Sequence, residues 1–248
     1  MSSLGKKYIM ALSGLLLVGF VTGHMVGNLQ MFLHPDWINE YAYKLQNLPY
    51  GLLWVFRVGM LVLVVAHVVT AVLLVIENHK ARPDKYVGSG TLQATFASRT
   101  MRYSGIILLL FIVFHIMHFT IQNIHPEFLH LETELEGVGT MHHVYDKLSV
   151  MGKTSVHDVY SMVVIGFSAQ FWYVSVFYII SMVVLCFHLM HGISSMFQSL
   201  GLRNDLWRKR LDKIALVLAV IVFIGFTSIP VASLTGILEP LQGLAAAH

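Results

Sequence analysis

The sequence predicts an all-α integral membrane protein, a bundle of five transmembrane helices, and three observations carry that prediction. Hydrophobic residues make up 56% of the 248 positions and charged residues 12%, whereas soluble domains carry about 25% charged residues. Five apolar runs each reach the roughly 20 residues that a helix needs to cross about 30 Å of hydrocarbon. Lysine and arginine gather on alternate connections between these runs, as in a chain that threads back and forth through a bilayer.

The first run, near 8–32, follows Lys6 and Lys7. It is too long for a signal peptide and has no small-residue cleavage site, so the N-terminus is expected to be retained. The second, near 51–76, follows Pro49 and places Trp54 at an interface. The third, near 103–122, follows Arg99 and Arg102. The fourth, near 171–197, opens on the interfacial pair Trp172 and Tyr173, and the fifth, near 213–235, holds Pro230 close to its end.

Charge sets the expected orientation. Lys6, Lys7, Lys80, Arg82, Lys85, Arg99, Arg102, Arg203, Arg208, Lys209, Arg210 and Lys213 fall on one side, against Lys44, Lys147 and Lys153 on the other. The N-terminus is therefore expected in the cytoplasm and the C-terminus outside. The external loop, 123–170, is rich in acid (Glu127, Glu132, Glu134, Glu136, Asp146, Asp158), and its segment SVHDVYSMVVIGF reads as a short amphipathic helix lying on the surface. The whole of 1–248 reads as one membrane domain, without a soluble domain, a nucleotide-binding loop or a nucleic-acid-binding tract, so any soluble catalysis must come from a partner. The one cysteine, Cys186, cannot form an intrachain disulfide, and no CxxCH is present to attach a haem covalently.

Six histidines lie inside the apolar runs: His24, His67, His115, His118, His188 and His191. Two end matching phrases, KYIMALSGLLLVGFVTGH at His24 and RTMRYSGIILLLFIVFH at His115, and in both a Ser-Gly pair places its glycine ten residues before the histidine. Imidazole is costly in hydrocarbon and is usually placed there for a function. Depth sorts the candidates. His24 lies 17 residues beyond Lys7, about 25 Å of helix, and His115 lies 13 beyond Arg102, about 20 Å, which puts both toward the outside. His67 and His188 each lie 16 residues after the external start of a descending helix, Gly51 or Trp172, about 24 Å down and in the inner half. Paired imidazoles at one depth on separate helices suit the two axial positions of a haem iron. Two such pairs would hold two haems with no open iron position, and so would carry electrons.

Other readings stand beside this one. Gly14, Gly19, Gly23, Gly27, Ser104 and Gly105, with Ala71 and Gly192, could clear room for a macrocycle or simply let helices pack closely. His118 and His191 follow His115 and His188 by three residues, on roughly the same faces, and are second-choice ligands or partners for a haem propionate or a neighbouring helix. The repeated phrase favours His115, and matched depth favours His188. Arg57, about two turns from the external end of the second run, reads as a propionate partner for the outer haem, or as a side chain snorkelling to the interface. No Asp or Glu lies deep within a run.

At these residues the chain resembles the five-helix, two-haem cytochrome b subunit that anchors bacterial succinate:quinone oxidoreductases and fumarate reductases, the type with one membrane polypeptide. The resemblance covers all five runs and rests on the Ser-Gly-ten-His phrases, GHMVGN from Gly23, AHVVTA around His67, and HxxxG from His188 to Gly192. It implies axial ligation of an outer haem b by His24 with His115 and of an inner haem b by His67 with His188. It also implies a bacterial cytoplasmic membrane, and a cytoplasmic face that docks an iron–sulfur subunit carrying a flavoprotein with covalent FAD and the dicarboxylate site. Electrons would run between succinate or fumarate and a membrane quinone, menaquinone by family tendency. Some relatives have a carboxylate two residues before the fourth-helix ligand; Cys186 stands there, which leaves a proton path through that position unsupported. A cytochrome b of a hydrogenase or formate dehydrogenase would share the helices and histidines but not the soluble partner. A proton-coupled transporter would hold no haem, and broken helices or deep carboxylates would be its signature.

Overall fold

The structure, a computed structural model, describes residues 2–81, 96–136 and 153–241. Arg82 and Lys85 of the expected cytoplasmic side, and Asp146 and Lys147 of the expected external loop, lie outside the described residues. The described residues are 83% helical, and among them five helices are long and apolar enough to cross a membrane. In chain order the helices are α1 (Ser3–Leu29), α2 (Pro35–Gln46), α3 (Leu52–Lys80), α4 (Phe96–His115), α5 (Val159–Gly166), α6 (Trp172–Ser199) and α7 (Asp205–Leu234), with strands β1 (Glu132–Glu136) and β2 (Lys153–His157) between α4 and α5. The long helices outrun the expected apolar segments mainly at their charged ends: α1 begins at Ser3 and α7 at Asp205. Hydrocarbon thickness limits the apolar run, not the helix, and exposed residues such as Lys7, Arg208 and Lys209 extend a helix while keeping their charge in water.

The chain divides into two compact units. The first comprises Met1–Gly23, Arg57–Leu109 and Val183–Phe223. Here Lys6 pairs with Glu77, which also accepts a hydrogen bond from Ser3 Oγ at 3.0 Å, tying the charged ends of α1 and α3. On α7, Leu211, Ala215, Ala219 and Val222 form a buried stripe at helical spacing. Its two alanines are the small residues that let membrane helices approach closely.

The second unit comprises His24–Phe56, Leu110–Met182 and Ile224–His248. Its core gathers Met31, Ile38, Phe128, Leu131, Tyr178 and Ile229 around α5. The segment expected to lie on the surface as one amphipathic helix does not do so. Ser155–His157 belong to β2, Asp158 caps α5, and Tyr160 through Gly166 are all buried. The physical reason is in the composition, because VYSMVVIG is apolar around its whole circumference and such a helix is driven inside. The hairpin is antiparallel, with Glu132 opposite His157 and Glu136 opposite Lys153. Helix α2 also has no counterpart in the sequence reading. Its signals are local: His34 accepts from the Asp36 amide, Pro35 takes the first helical position, and Glu40 pairs with Lys44 one turn on.

A buried polar knot ties α2 to α5. Asn39 Nδ2 donates to Asp158 Oδ1 at 3.0 Å, the Tyr160 amide donates to Asn39 Oδ1 at 2.9 Å, and the Ser161 amide donates to Asp158 Oδ1 at 3.0 Å. Asn39, Asp158 and Ser161 have no exposed surface. The D158A variant leaves the Asn39 amide and the first turn of α5 without an acceptor, so it is expected to lose about 2–4 kcal/mol of stability. Thermal unfolding in detergent measures this, with D158N, which keeps the carbonyl acceptor, expected to lose less.

His157 presents a pH dependence outside the spans. Its Nδ1 donates to the Leu131 carbonyl at 3.0 Å and its Nε2 accepts from Gln122 Nε2 at 3.0 Å, an arrangement that suits the neutral ring. Burial holds its pKa below the ordinary 6.5, against the opposing pull of the Leu131 carbonyl, Asp158 and Glu132. The unfolded state therefore binds the proton first as pH falls, and stability rises with pH across this window. The contribution of His157 is complete above the unfolded value of 6.5 and is lost as pH falls toward the depressed folded value. Hairpin amide exchange, corrected for its intrinsic rate, is expected to be faster at about pH 5 than at about pH 7.5. Equal protection at both contradicts this.

Candidate functional site

The six histidines inside the apolar runs fall into two groups, one in each unit. In the first unit, His67 on α3 and His188 on α6 face each other with ring centres 6.5 Å apart and planes inclined at 59°. Neighbouring helices hold both rings by their Nδ1 atoms. Ser13 Oγ on α1 lies 3.2 Å from His67 Nδ1, and Ser104 Oγ on α4 lies 3.0 Å from His188 Nδ1. The glycine after each serine borders the same ring: a Cβ on Gly14 would stand 3.5 Å from His67 Cε1, and one on Gly105 would stand 3.8 Å from His188 Cε1. His191 lies one turn further along α6, half-buried, its carbonyl accepting from Ser195 Oγ at 3.1 Å. His188, not His191, is the residue opposite His67.

In the second unit, His24 on α1 and His115 at the end of α4 have ring centres 5.9 Å apart and planes at 80°. Asn28 Nδ2 donates to the His24 carbonyl at 2.8 Å and lies 3.4 Å from His24 Nε2. Phe111 stacks on His115 and Phe226 flanks His24, each with ring centres 5.9 Å apart. After His115 the helix widens into a π turn, Ile116–Thr120, of the kind often found at functional positions. That turn carries His118 into an aromatic nest, with Phe119 stacked on it at 3.9 Å and no exposed surface.

Tyr178 on α6 joins the two histidines of that turn. Its hydroxyl lies 3.3 Å from His115 Nδ1 and 3.1 Å from His118 Nδ1. With one proton to give, the hydroxyl donates to one ring and accepts from the other. The expectation that His115 and His118 share a face therefore holds, but only His115 stands against His24. Tyr178 is absent from the sequence reading, since nothing in the spacing FWYVSVFY separates it from an interfacial aromatic. Arg57 lies on α3, five residues after its start at Leu52, on an exposed face of the helix.

The donor sets can be measured against an axial haem site. Two imidazole nitrogens at about 2 Å from one metal, each about 1.1 Å from its ring centre, would put the ring centres about 6.2 Å apart. The separations of 6.5 Å and 5.9 Å bracket that span. In His67, His188 and His115 the Nδ1 lies within hydrogen-bond reach of a hydroxyl, so Nε2 is the nitrogen that would hold a metal, whereas in His24 it is Nε2 that lies near Asn28. The residues fit the group. No known protein family, curated protein or solved structure matches this chain.

Proposed function

We propose that the chain is a dihaem cytochrome b that anchors a succinate:quinone oxidoreductase in the bacterial cytoplasmic membrane, with its N-terminus in the cytoplasm. The observation that carries the haem reading is the pairing of four imidazoles from four helices, His67 with His188 and His24 with His115, at ring separations that one axial metal spans. Bis-imidazole haem exchanges electrons and offers no open position to oxygen or substrate. The protein's own task is to orient the four rings, keep them neutral, and exclude water with aromatic side chains such as Phe111, Phe114 and Phe177.

The dicarboxylate chemistry rests on the Ser-Gly-ten-His, GHMVGN, AHVVTA and HxxxG resemblance. On that reading an iron–sulfur subunit and a flavoprotein bearing FAD dock on the basic cytoplasmic face, and a membrane quinone exchanges electrons with the haem system. Affinity purification of the tagged chain from its native membrane tests this. The expected result is co-purification of a flavoprotein and an iron–sulfur protein, with reduction of the haems by succinate. Reduction by hydrogen or formate instead assigns the chain to a different quinone-linked enzyme.

A further inference from the structure

The two Ser-Gly phrases have a use that their spacing to His24 and His115 does not reveal. Each serine lies three helical turns before the histidine that ends its phrase, on the same helix face, yet its hydroxyl engages a histidine of the other pair. Ser13 on α1 meets His67 on α3, and Ser104 on α4 meets His188 on α6, the same relation made twice in one unit. Both hydroxyls also sit within hydrogen-bond reach of the carbonyl three residues before them, Met10 at 3.2 Å and Met101 at 2.9 Å. Both serines are buried, at 4% and 6% exposure, so water does not compete for these bonds.

The hydrogen-bond inventory then favours one direction. A serine hydroxyl has one proton and two lone pairs. With the proton given to the helix carbonyl, the oxygen can only accept from the imidazole, so Nδ1 carries hydrogen in both His67 and His188. That tautomer leaves the Nε2 lone pair directed away from the serine.

We propose that Ser13 and Ser104 are positioning residues of the inner site, each fixing the Nδ1–H tautomer and the ring orientation of one axial ligand, and each lowering the potential of the metal those ligands hold. The proposal rests on the haem reading above. A ligating histidine that donates its other N–H to an oxygen becomes a more basic ligand and favours ferric iron. The Ser-Gly pair thus serves the inner site, while the histidine ten residues after its glycine serves the outer one.

Redox titration of the purified chain, followed through the low-spin ferric EPR signals, tests this. S13A and S104A are each expected to favour the reduced form of the haem held by His67 and His188 by about tenfold, which is about 59 mV for one electron. The EPR signal of that haem is expected to move and the other haem to keep its potential. An inner potential and signal equal to wild type in both variants overturns the assignment and leaves the haem reading standing. A wild-type chain without haem overturns the haem reading itself, and this proposal with it. Where an alanine variant loses the inner haem, S13T or S104T, which keeps the hydroxyl, is expected to restore it at its native potential; failure to restore it overturns the proposal.

Discussion

If the chain is the proposed dihaem cytochrome, H67A is expected to hold one b haem in place of two, and the haem that remains to keep its potential and its EPR signal. His67 has one partner ring, His188, at 6.5 Å, and this pair lies in a different compact unit from His24 and His115. Removing one imidazole would leave a single ligand, since among the described residues no other imidazole from a second helix stands at that distance from His188. His191 is one turn along α6 from His188 and on the same helix, so it cannot take the position of His67 on α3. H188A is expected to give the same spectrum as H67A. Haem content per polypeptide and optical redox titration measure both, and an unchanged pair of haems in either variant rejects the inner assignment.

At the outer site the contrast between two neighbours decides the ligand. H115A is expected to lose the outer haem and to lower quinone-linked turnover of the complex by more than about 100-fold, since a ligand contributes more than the 10- to 100-fold of a surrounding hydrogen-bond partner. H118A is expected to retain both haems. His118 meets Tyr178 and stacks on Phe119, while His115 stands against His24. Loss of the outer haem in H118A with retention in H115A would exchange the two roles. Y178F removes a hydroxyl that both rings share, and so its effect is expected to fall between these extremes.

The five long helices were legible because hydrocarbon imposes one length on every crossing, and because histidine is rare enough in apolar runs to stand out. Residue counts along each helix grouped His67 with His188 and His24 with His115 because a helix is a ruler, and the same two pairs have ring centres 6.5 Å and 5.9 Å apart. What the counts could not supply is which neighbouring helix a side chain touches at a given depth. The Ser-Gly phrase points along its own helix to His24 or His115, while its hydroxyl contact runs sideways to His67 or His188.

The segment between α4 and α6 failed for another reason. No fixed length constrains a loop, and SVHDVYSMVVIGF can be read as one helix until Asp158 is seen to break it by capping α5 and binding Asn39. Helix α2 was hidden because its polar composition carries no membrane signal, only the modest local cues of Pro35 and Asp36. His118 acquires its position from the π turn after His115, a local widening that no residue pattern announces.

Four imidazoles from four helices are proposed to hold two haems. A pyridine haemochrome assay on the purified full-length chain, with protein determined by amino-acid analysis, tests this most directly. The expected result is two b-type haems per polypeptide, reduced at two resolvable potentials. A chain that folds and purifies with no haem, or whose haem survives the loss of all four of His24, His67, His115 and His188, would contradict it.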